Sequence, residues 1–348
     1  MIEEVVKTKA MVLREFTKPL ALEEVDKPSY GPGEVLLKVK AAGVCGTDLK
    51  IRDGLVPTKE LPLIPGHEVA GVVAATGADV QRFREGDEVL VSFYIPCNTC
   101  RNCRRGRQTI CERLKGRIGF EFNGGFAEYV AVPEDCLIPK PPALSFQQAA
   151  VIPDALGTCY HVLVRRAQVQ KGDYLVIVGG GGGLGLHALQ MAKGLGAVVI
   201  GVDVSADKLE LMKSYGADYV IDGQENPSWS KLVVEYMQGR RADHVVNFVA
   251  HQPSIDEGLK ATGKGGKLAL VAYSKEVKFN ALYGHLNEID LLSTRAATKE
   301  DIQECLKLVL AKEVETVISD VISLEDLNYG LQLIKDGKLK GRLVIDLE

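Results

Sequence analysis

The sequence of 348 residues has no apolar run that approaches the roughly 20 residues needed to span a membrane. Its first segment, Met1 to Lys9, alternates charged and apolar side chains and has no apolar stretch like that of a secretory signal. Basic residues are not in surplus, because 42 lysines and arginines stand against 46 aspartates and glutamates, a net charge of −4. We therefore expect a soluble cytoplasmic protein that binds neither membranes nor nucleic acid.

Short β-type runs broken by proline and glycine dominate the chain up to about residue 150. From about residue 155, apolar strands alternate with helical segments, which is typical of right-handed βαβ crossovers in a parallel, doubly wound sheet. The predicted strands are Tyr174–Val178, Val198–Val202, Tyr219–Ile221, Val245–Val249 and Lys267–Ala272. We predict an α/β protein with a β-rich domain over 1–154 and a second domain over 155–296. A tail over 297–348 is expected to fold back onto the first domain.

A glycine-rich turn follows the first strand of the second domain. Gly180, Gly182 and Gly185 have the G-x-G-x-x-G spacing, and Gly183 lies between them. Such a loop lets a pyrophosphate approach the backbone and points the N–H groups of a helix N-terminus at that anion. A flexible linker is the other interpretation, but the flanking strand, the helix and an acid further along the chain argue against it.

That acid is Asp203, which lies 18 residues after Gly185 at the end of the second strand. A carboxylate there accepts hydrogen bonds from both ribose hydroxyls of NAD and repels the 2′-phosphate of NADP. No arginine follows directly to receive that phosphate, and Lys208 is near enough along the chain to reach a ribose hydroxyl. The alternative role for Asp203 is a helix N-cap. We predict NAD as the coenzyme.

Four of the eight cysteines fall within fifteen residues, as Cys97, Cys100, Cys103 and Cys111. Four thiolates at this spacing can wrap one tetrahedral Zn²⁺ with no open position, which defines a structural site. The compact iron–sulfur motif closes with a three-residue gap and a proline, whereas this one closes with seven residues and a glutamate. Four arginines of the loop are candidates to hydrogen-bond the sulfurs, with a solvated basic loop as the alternative: Arg101, Arg104, Arg105 and Arg107.

A second set of metal ligands is dispersed, and neither Cys45 nor His67 is evidence of a metal by itself. The surrounding run reads Gly66-His67-Glu68-x2-Gly71-x5-Gly77-x2-Val80. With the cysteine lobe and the later glycine loop, it resembles the zinc-dependent medium-chain alcohol dehydrogenase family over essentially the whole chain. The resemblance implies a GroES-like catalytic domain and a Rossmann coenzyme domain, with catalysis in the cleft between them.

The resemblance further implies that Cys45 and His67 are ligands of a catalytic zinc. The third ligand in the family lies four residues before a threonine, and Asp154 holds that position, with the thiol of Cys159 as the alternative. Glu68 is implied either as a fourth ligand or as a support for the others. Asp48 resembles the carboxylate that orients the ligand histidine. Two zinc ions per chain are therefore expected.

Thr47 occupies the family position that takes the alcohol proton, and Lys50 stands where many members place a histidine that completes the proton relay. Lys50 is open to three interpretations: an acid–base group with a lowered pKa, a solvated residue with water as the acceptor, or a contact for an anionic or polyhydroxylated substrate. Besides the glycine loop, Asp203 and Lys208, coenzyme-binding residues are expected at Thr158, Val271 and Arg342.

The resemblance implies an NAD-linked, zinc-dependent alcohol dehydrogenase that moves a hydride reversibly between an alcohol (simple, polyol or aromatic) and the nicotinamide ring. An open zinc would lower the pKa of the bound alcohol and so prepare the hydride to leave. The alternatives are a zinc-free reductase of the same superfamily and a member that has lost turnover. We expect a homo-oligomer, with a tetramer favoured, and a small-molecule alcohol or carbonyl as substrate.

Overall fold

The computed structural model describes residues 6–249 and 251–348. The first five residues, which are part of the segment considered above for a secretory signal, and Ala250 lie outside the described residues. The chain divides into two compact units. The first takes the described residues of Met1–Asp154, Thr298–Gln303 and Ile318–Glu348, and the second those of Ala155–Ala297 and Glu304–Val317. Among the described residues, no helix is both long and apolar enough to cross a membrane.

The first unit begins with short strands joined by long loops. The strands are β1 (Lys7–Val12), β2 (Ala21–Asp26), β3 (Glu34–Val44), β4 (Glu68–Thr76), β5 (Glu88–Val91), β6 (Tyr94–Ile95), β7 (Gly116–Arg117), β8 (Tyr129–Pro133) and β9 (Leu137–Pro139). The helices are α1 (Gly46–Arg52), α2 (Arg101–Arg104) and α3 (Phe146–Val151), with 3-10 turns at Gln108–Ile110 and Glu134–Cys136. Strands β3 and β4 pair antiparallel along most of their length. This pairing brings the end of β3 beside the start of β4, with Gly43 opposite Glu68.

A continuous helical segment over 146–167 carries the chain from the first unit into the second. It begins with α3, where the Ser145 hydroxyl accepts from the N–H of Gln148 and the Gln148 side chain reaches back to Ser145. The hydrogen bonding then alternates between α and wider π geometry, in three pieces: π over Ile152–Leu156, α4 (Gly157–Tyr160) and π over His161–Ala167. It ends where Gln168 adopts a left-handed conformation.

The second unit contains a six-stranded parallel sheet. Its strands are β10 (Tyr174–Val178), β11 (Val198–Asp203), β12 (Tyr219–Asp222), β13 (Ala242–Asn247), β14 (Thr262–Leu270) and β15 (Asp290–Ser293). Its helices are α5 (Gly185–Gly194), α6 (Ala206–Ser214), α7 (Ser230–Tyr236), α8 (Gln252–Ala261) and α9 (Ala281–Asn287). The order β12-β11-β10-β13-β14-β15 is that of the doubly wound dinucleotide-binding fold, and it confirms the predicted fold class.

Helices pack on this parallel sheet, which is why its strands are runs of valine and isoleucine rather than alternating sequences. Val176, Val245 and Leu268 are fully buried, and Trp229 and Ile255 pack in the same apolar cluster. The predicted positions of β10, β11 and β12 agree with the structure to within one residue. β13 and β14 begin three and five residues earlier than predicted, at Ala242 and Thr262. These two residues pair with each other ahead of a register shift, which extends both strands toward their N-terminal ends.

The tail supplies the last elements: α10 (Lys299–Leu310), β16 (Ile318–Ile322), α11 (Leu327–Lys335) and β17 (Arg342–Asp346). Strand β17 pairs parallel with β16 and antiparallel with β3, and thereby joins the sheet of the first unit. That sheet has the order β16-β17-β3-β4-β5-β9, with β8 also paired to β3. β1 with β2, and β6 with β7, form two small separate sheets.

The tail does not lie wholly with the first unit, although the sequence led us to place all of 297–348 there. Residues 304–317 group with the second unit. Side-chain contacts from α5 hold the end of this segment: the Gln190 amide bonds both the carbonyl and the N–H of Glu315, at 3.2 and 2.9 Å. His187 accepts the N–H of Val317 at 2.9 Å.

Candidate metal centres and coenzyme loop

The four clustered cysteines lie in the loop between β6 and β7, and their sulfur atoms are within 4.8 Å of one another. The Cys100 sulfur lies 3.4 Å from that of Cys103 and 3.9 Å from that of Cys111. Sulfurs bound at about 2.3 Å around a tetrahedral zinc would stand about 3.8 Å apart. The thiols are therefore already grouped as a closed four-sulfur metal site requires.

Backbone N–H groups point at these sulfurs. The N–H of Cys97 donates to the Cys111 sulfur and that of Cys100 donates to the Cys97 sulfur, each at 3.3 Å. The Thr99 hydroxyl lies 3.6 Å from the same Cys97 sulfur. The backbone of Thr99, against the opposing effect of burial, lowers the pKa of the Cys97 thiol to about 5. Donors aimed at sulfur favour the thiolate, which is the form that binds a metal.

The arginines of the loop were considered above as possible hydrogen-bond donors to the cysteine sulfurs. Among the described residues, the hydrogen bonds to these sulfurs come from backbone N–H groups, the Thr99 hydroxyl and neighbouring thiols. The four arginines are exposed to solvent: Arg101, Arg104, Arg105 and Arg107. They therefore agree with the alternative interpretation, a solvated basic loop.

The dispersed ligands also come together. Cys45 is the N-cap of α1, His67 and Glu68 lie at the start of β4, and Asp154 lies in the π-helical turn. All four are buried, and one ligand atom from each lies within 4.8 Å of the others. Asp154 Oδ2 is 3.5 Å from the Cys45 sulfur and 3.6 Å from His67 Nε2. Donor atoms bound to one tetrahedral zinc stand about 3.3–3.6 Å apart, so the set fits such an ion.

Asp48 links two of these residues. One of its carboxylate oxygens accepts the N–H of Cys45 at 2.8 Å, and the other lies 3.3 Å from His67 Nδ1. Burial opposes the charged form of His67, but the charge of Asp48 and hydrogen bonding with Asp154 prevail, and the pKa of the imidazole is raised well above its usual value. The ring also packs against Phe93 and Phe120, at centroid distances of 5.1 and 5.3 Å. Asp48 and the two rings therefore fix the orientation of His67.

Arg342, the first residue of β17, lies in this cluster. Its Nε donates to Glu68 at 3.0 Å, and its Nη2 donates both to the other Glu68 oxygen and to Asp154, the latter at 2.7 Å. The sequence assigned Arg342 to the coenzyme pyrophosphate, which stays a prediction. The ion pairs with Glu68 and Asp154 were not foreseen, because 274 and 188 residues separate the partners along the chain.

Gly43 makes the position of Glu68 possible. It lies opposite Glu68 in the pairing of β3 with β4, and a Cβ atom there would lie 2.9 Å from the Glu68 Cβ and would overlap one carboxylate oxygen. Only glycine leaves room for the carboxylate to turn inward toward Arg342. Nothing in the local sequence distinguishes Gly43 from a glycine that is merely tolerated in a strand.

The charges of the cluster do not balance. Three carboxylates, those of Asp48, Glu68 and Asp154, are buried there with the Cys45 thiol, and the basic groups buried with them are the guanidinium of Arg342 and the imidazole of His67, whose pKa is raised. Buried carboxylates and thiolates are costly unless a cation compensates them. A divalent ion among these donors would supply the missing positive charge, so the charge of the cluster fits a metal site as the donor spacing does.

Cys159, the alternative third ligand, lies elsewhere. It belongs to the second unit, and its thiol donates to the Leu184 carbonyl at 3.1 Å. It is not among the described residues whose donor atoms group with Cys45 and His67. Asp154 therefore fits the third position by geometry, and its ligand role remains a proposal.

Thr47 and Lys50 lie on α1, one turn apart and each half-buried. Burial lowers the pKa of Lys50, and the nearby charge of Cys45 opposes that effect. A lysine with a lowered pKa beside an acidic cluster is a candidate acid–base group as well as a candidate substrate contact. The structure leaves the interpretations of Lys50 open.

The glycine loop of the second unit has the close contacts that exclude larger residues. A Cβ on Gly185 would lie 2.2 Å from the Gly179 carbonyl, and one on Gly180 would lie 2.6 Å from the Met212 sulfur. The Asp203 carboxylate accepts the N–H of Gly181 at 2.9 Å and that of Val204 at 2.8 Å. These bonds hold Asp203 at the end of β11, where the sequence placed a ribose ligand.

The other predicted coenzyme residues also lie in the second unit, apart from Arg342. Lys208 is buried, and its side chain lies against Gly181, so that a Cβ on that glycine would meet it at 2.5 Å. Val271 follows β14 and donates its N–H to the Asn247 carbonyl at 3.0 Å, and Thr158 is buried in α4. Gly182 and Gly183 lie in the turn before α5. Contact of these residues with a coenzyme remains a prediction.

Comparison with known proteins supports both halves of this description. Residues 31–142 match the alcohol dehydrogenase GroES-like domain, and residues 183–311 match the zinc-binding dehydrogenase domain. An NAD-dependent alcohol dehydrogenase of Sulfolobus acidocaldarius is 35% identical, over 97% of this chain and 99% of that protein. An acryloyl-coenzyme A reductase of Sulfurisphaera tokodaii is 32% identical, over 97% and 99%. The crystal structure of the alcohol dehydrogenase of Aeropyrum pernix superposes with a TM-score of 0.91 at 31% identity, covering 97% of this chain and 99% of that one.

The cysteine lobe leads to a prediction about stability. Replacing Cys103 with serine removes one of four sulfurs, so a structural metal held by the four would be lost and the thermal midpoint should fall by about 5 °C or more. Turnover of the protein that remains folded should stay near that of the wild type, because the lobe contributes no residue to the second cluster. Thermal unfolding and initial rates measure the two effects. A large loss of turnover at an unchanged midpoint would show that the lobe acts in catalysis.

The position of Gly43 leads to a second prediction. Gly43→Ala should displace the Glu68 carboxylate, weaken its pairing with Arg342 and destabilise the protein by about 1–3 kcal/mol. Gly46→Ala is the matched control, because a Cβ there meets nothing within 4 Å. Chemical unfolding of both variants measures the difference. Equal stability of the two variants would show that the close approach of Gly43 and Glu68 does not constrain the fold.

Proposed function

The chain belongs to the zinc-type medium-chain dehydrogenase/reductase family, and from this premise we propose that it is an NAD-dependent alcohol dehydrogenase with two zinc ions per chain. The single observation that carries the proposal is the buried cluster of Cys45, His67, Glu68 and Asp154, whose donor spacing and excess negative charge fit a divalent cation. The relatives named as alcohol dehydrogenases support the reaction class.

Three residues would hold the catalytic zinc: Cys45, His67 and Asp154. Both oxygens of Glu68 are engaged by Arg342, so we assign Glu68 to holding the guanidinium beside Asp154 rather than to ligation. A zinc there would act as a Lewis acid on the alcohol, while bound NAD would accept the hydride. The hydroxyl of Thr47, two residues after Cys45 on α1, would take the proton of the alcohol.

The preference for NAD would come from Asp203. Its carboxylate is fixed at the end of β11 by backbone N–H groups and keeps acceptor capacity for ribose hydroxyls. Because the group is an anion, a 2′-phosphate at the same place would be repelled. The glycine loop and the N-terminus of α5 would receive the pyrophosphate.

Reduction of an enoyl thioester is the second candidate, because relatives named acryloyl-coenzyme A reductase align over nearly the whole chain. In that reaction hydride adds to a carbon–carbon double bond, and no alcohol oxygen needs a Lewis acid. The buried donor cluster therefore favours alcohol oxidation. The half-buried Lys50 would suit the anionic substrate of the alternative.

The proposed function is tested on Asp154. Asp154→Ala should lower the metal content from two zinc ions per chain to one. It should also reduce the rate of NAD-dependent oxidation by about 100-fold or more, measured with the alcohol that the wild-type enzyme oxidises fastest. Cys159→Ala is the control and should keep both metals. Metal analysis and initial rates over a panel of simple, polyol and aromatic alcohols measure these effects. Activity with acryloyl-coenzyme A but with none of the alcohols would favour the second candidate.

The coenzyme preference is tested on Asp203. Asp203→Ser removes the anion and should shift the ratio of kcat/KM for NAD over NADP toward NADP by about tenfold or more. Asp222 ends the next strand, β12, so Asp222→Ser controls for loss of a charge at the same edge of the sheet. A wild-type enzyme that uses both coenzymes equally would contradict the charge argument.

The role of Lys50 is tested by the pH–rate profile of Lys50→Ala, with a neutral alcohol and with one that bears a carboxylate. A lysine with a lowered pKa that relays the proton contributes a limb to the profile below its ordinary value of about 10.4, and the variant should lose that limb. A KM increase confined to the acidic substrate would instead assign Lys50 to recognition. An unchanged profile with unchanged KM would leave the proton to water.

A further inference from the structure

His187 is a fully buried histidine in the first turn of α5, and the proposed function gives it no task. Its ring bonds to the backbone on both sides. Nδ1 lies 2.8 Å from the Gly183 carbonyl in the glycine loop, and Nε2 lies 2.9 Å from the N–H of Val317. The ring therefore connects the loop before α5 to the segment of the tail that packs on the second unit.

These two contacts fix the tautomer of the ring. A backbone N–H can only donate, so Nε2 must present its lone pair to Val317. The single ring proton then resides on Nδ1, which donates it to the Gly183 carbonyl. Burial lowers the pKa of His187 to about 4, so the ring stays neutral at ordinary pH and keeps this donor–acceptor polarity.

The carbonyl that His187 holds lies at the edge of the proposed phosphate site. The N–H groups at the start of a helix have no partner inside the helix, and these groups would receive the pyrophosphate. The direction of a peptide N–H is set by the orientation of its peptide plane, and the Gly183 carbonyl belongs to the plane that carries the N–H of Leu184. A donor to that carbonyl therefore fixes the direction of the N–H. The neighbouring carbonyl, that of Leu184, is held by the thiol of Cys159.

Gln190 gives the tail a second attachment to α5, besides the bond from His187 to Val317. It lies one turn further along α5 and bonds both the N–H and the carbonyl of Glu315, two residues before Val317. The tail segment is thus anchored to α5 without His187. The bond of His187 to Gly183 instead acts on the glycine loop itself, where glycine offers no side chain that would restrict its peptide.

We propose that His187 is a positioning residue for the coenzyme loop: its Nδ1 proton orients the Gly183–Leu184 peptide so that the N–H groups before α5 face the pyrophosphate of NAD. The proposal rests on the proposed function, since it assumes that the loop binds a dinucleotide. Because His187 is fully buried and both its ring nitrogens bond to the backbone, it would contact neither the substrate nor the reacting atoms, and its contribution would be to affinity for the coenzyme.

Two substitutions separate the two bonds. The amide nitrogen of asparagine occupies about the place of His Nδ1, so His187→Asn keeps a donor to Gly183 and loses the acceptor for Val317. The amide of glutamine reaches the place of Nε2, so His187→Gln can accept from Val317 and loses the donor to Gly183. Each variant loses one buried hydrogen bond, and the two should therefore have similarly lowered thermal midpoints. Gln190→Met is a further control, which removes the contacts with Glu315 alone.

The measurement is the dissociation constant for NADH and for ADP-ribose, by fluorescence titration and calorimetry. His187→Gln should weaken both ligands about tenfold, because both contain the pyrophosphate, whereas His187→Asn and Gln190→Met should stay within about threefold of the wild type. Equal losses in the Asn and Gln variants, or none in either, would overturn the role of Nδ1. A wild-type protein that binds neither ligand would instead contradict the proposed function, and the inference with it.

Discussion

The ion pairing of Arg342 with Glu68 and Asp154 is the interaction on which the first unit most depends. It joins three distant parts of the chain: the last strand, the start of β4 and the helical segment that leaves the unit. A buried guanidinium needs carboxylate partners, and buried carboxylates need a cation, so removing Arg342 would leave the Glu68 and Asp154 carboxylates without their partner. The excess of acids that remains around Arg342 supports the proposal that a divalent ion binds in the same cluster.

The backbone around the cluster is adapted to these charged groups. The absence of a side chain at Gly43 leaves room for Glu68, and Asp154 lies in the first of the two π-helical stretches of the segment over 146–167. Pro153 lies in that turn and has no N–H to donate, so the regular α pattern is already interrupted there. π turns within helices occur often at functional sites, because the extra residue changes the direction of neighbouring side chains. Local irregularity here serves the site rather than the fold.

The second unit differs from the first in the kind of ligand it would bind. That ligand would be an anion held mainly by backbone N–H groups, not a cation held by side chains. Side chains can only position such groups indirectly. Asp203 accepts the N–H of Gly181, Cys159 donates to the Leu184 carbonyl, and His187 bonds to the Gly183 carbonyl. A loop of glycines has little conformational preference of its own, so these contacts from outside the loop give it a defined shape.

The sequence by itself determined the features that depend on neighbours along the chain. The spacing of the cysteines, the glycine loop after β10 and the alternation of strands and helices are all contained in windows of a few to about twenty residues. Their geometry follows from local chain connectivity and hydrophobic periodicity. The resemblance carried by the motifs added the family and the pairing of Cys45 with His67, and the comparisons confirm the family.

Only the tertiary structure decided which distant groups meet. The pairing register of β3 with β4 and β17 places Gly43 beside Glu68 and brings Arg342 into the cluster. Residues 304–317 group with the second unit, where α5 contacts Glu315 and Val317, whereas the sequence-based division placed them with the first. The hydrogen bonds of Arg342 and those of α5 with the tail join residues 125 to 274 positions apart. No local pattern specifies them, because strand register and helix packing minimise the free energy of the whole chain rather than of any one segment.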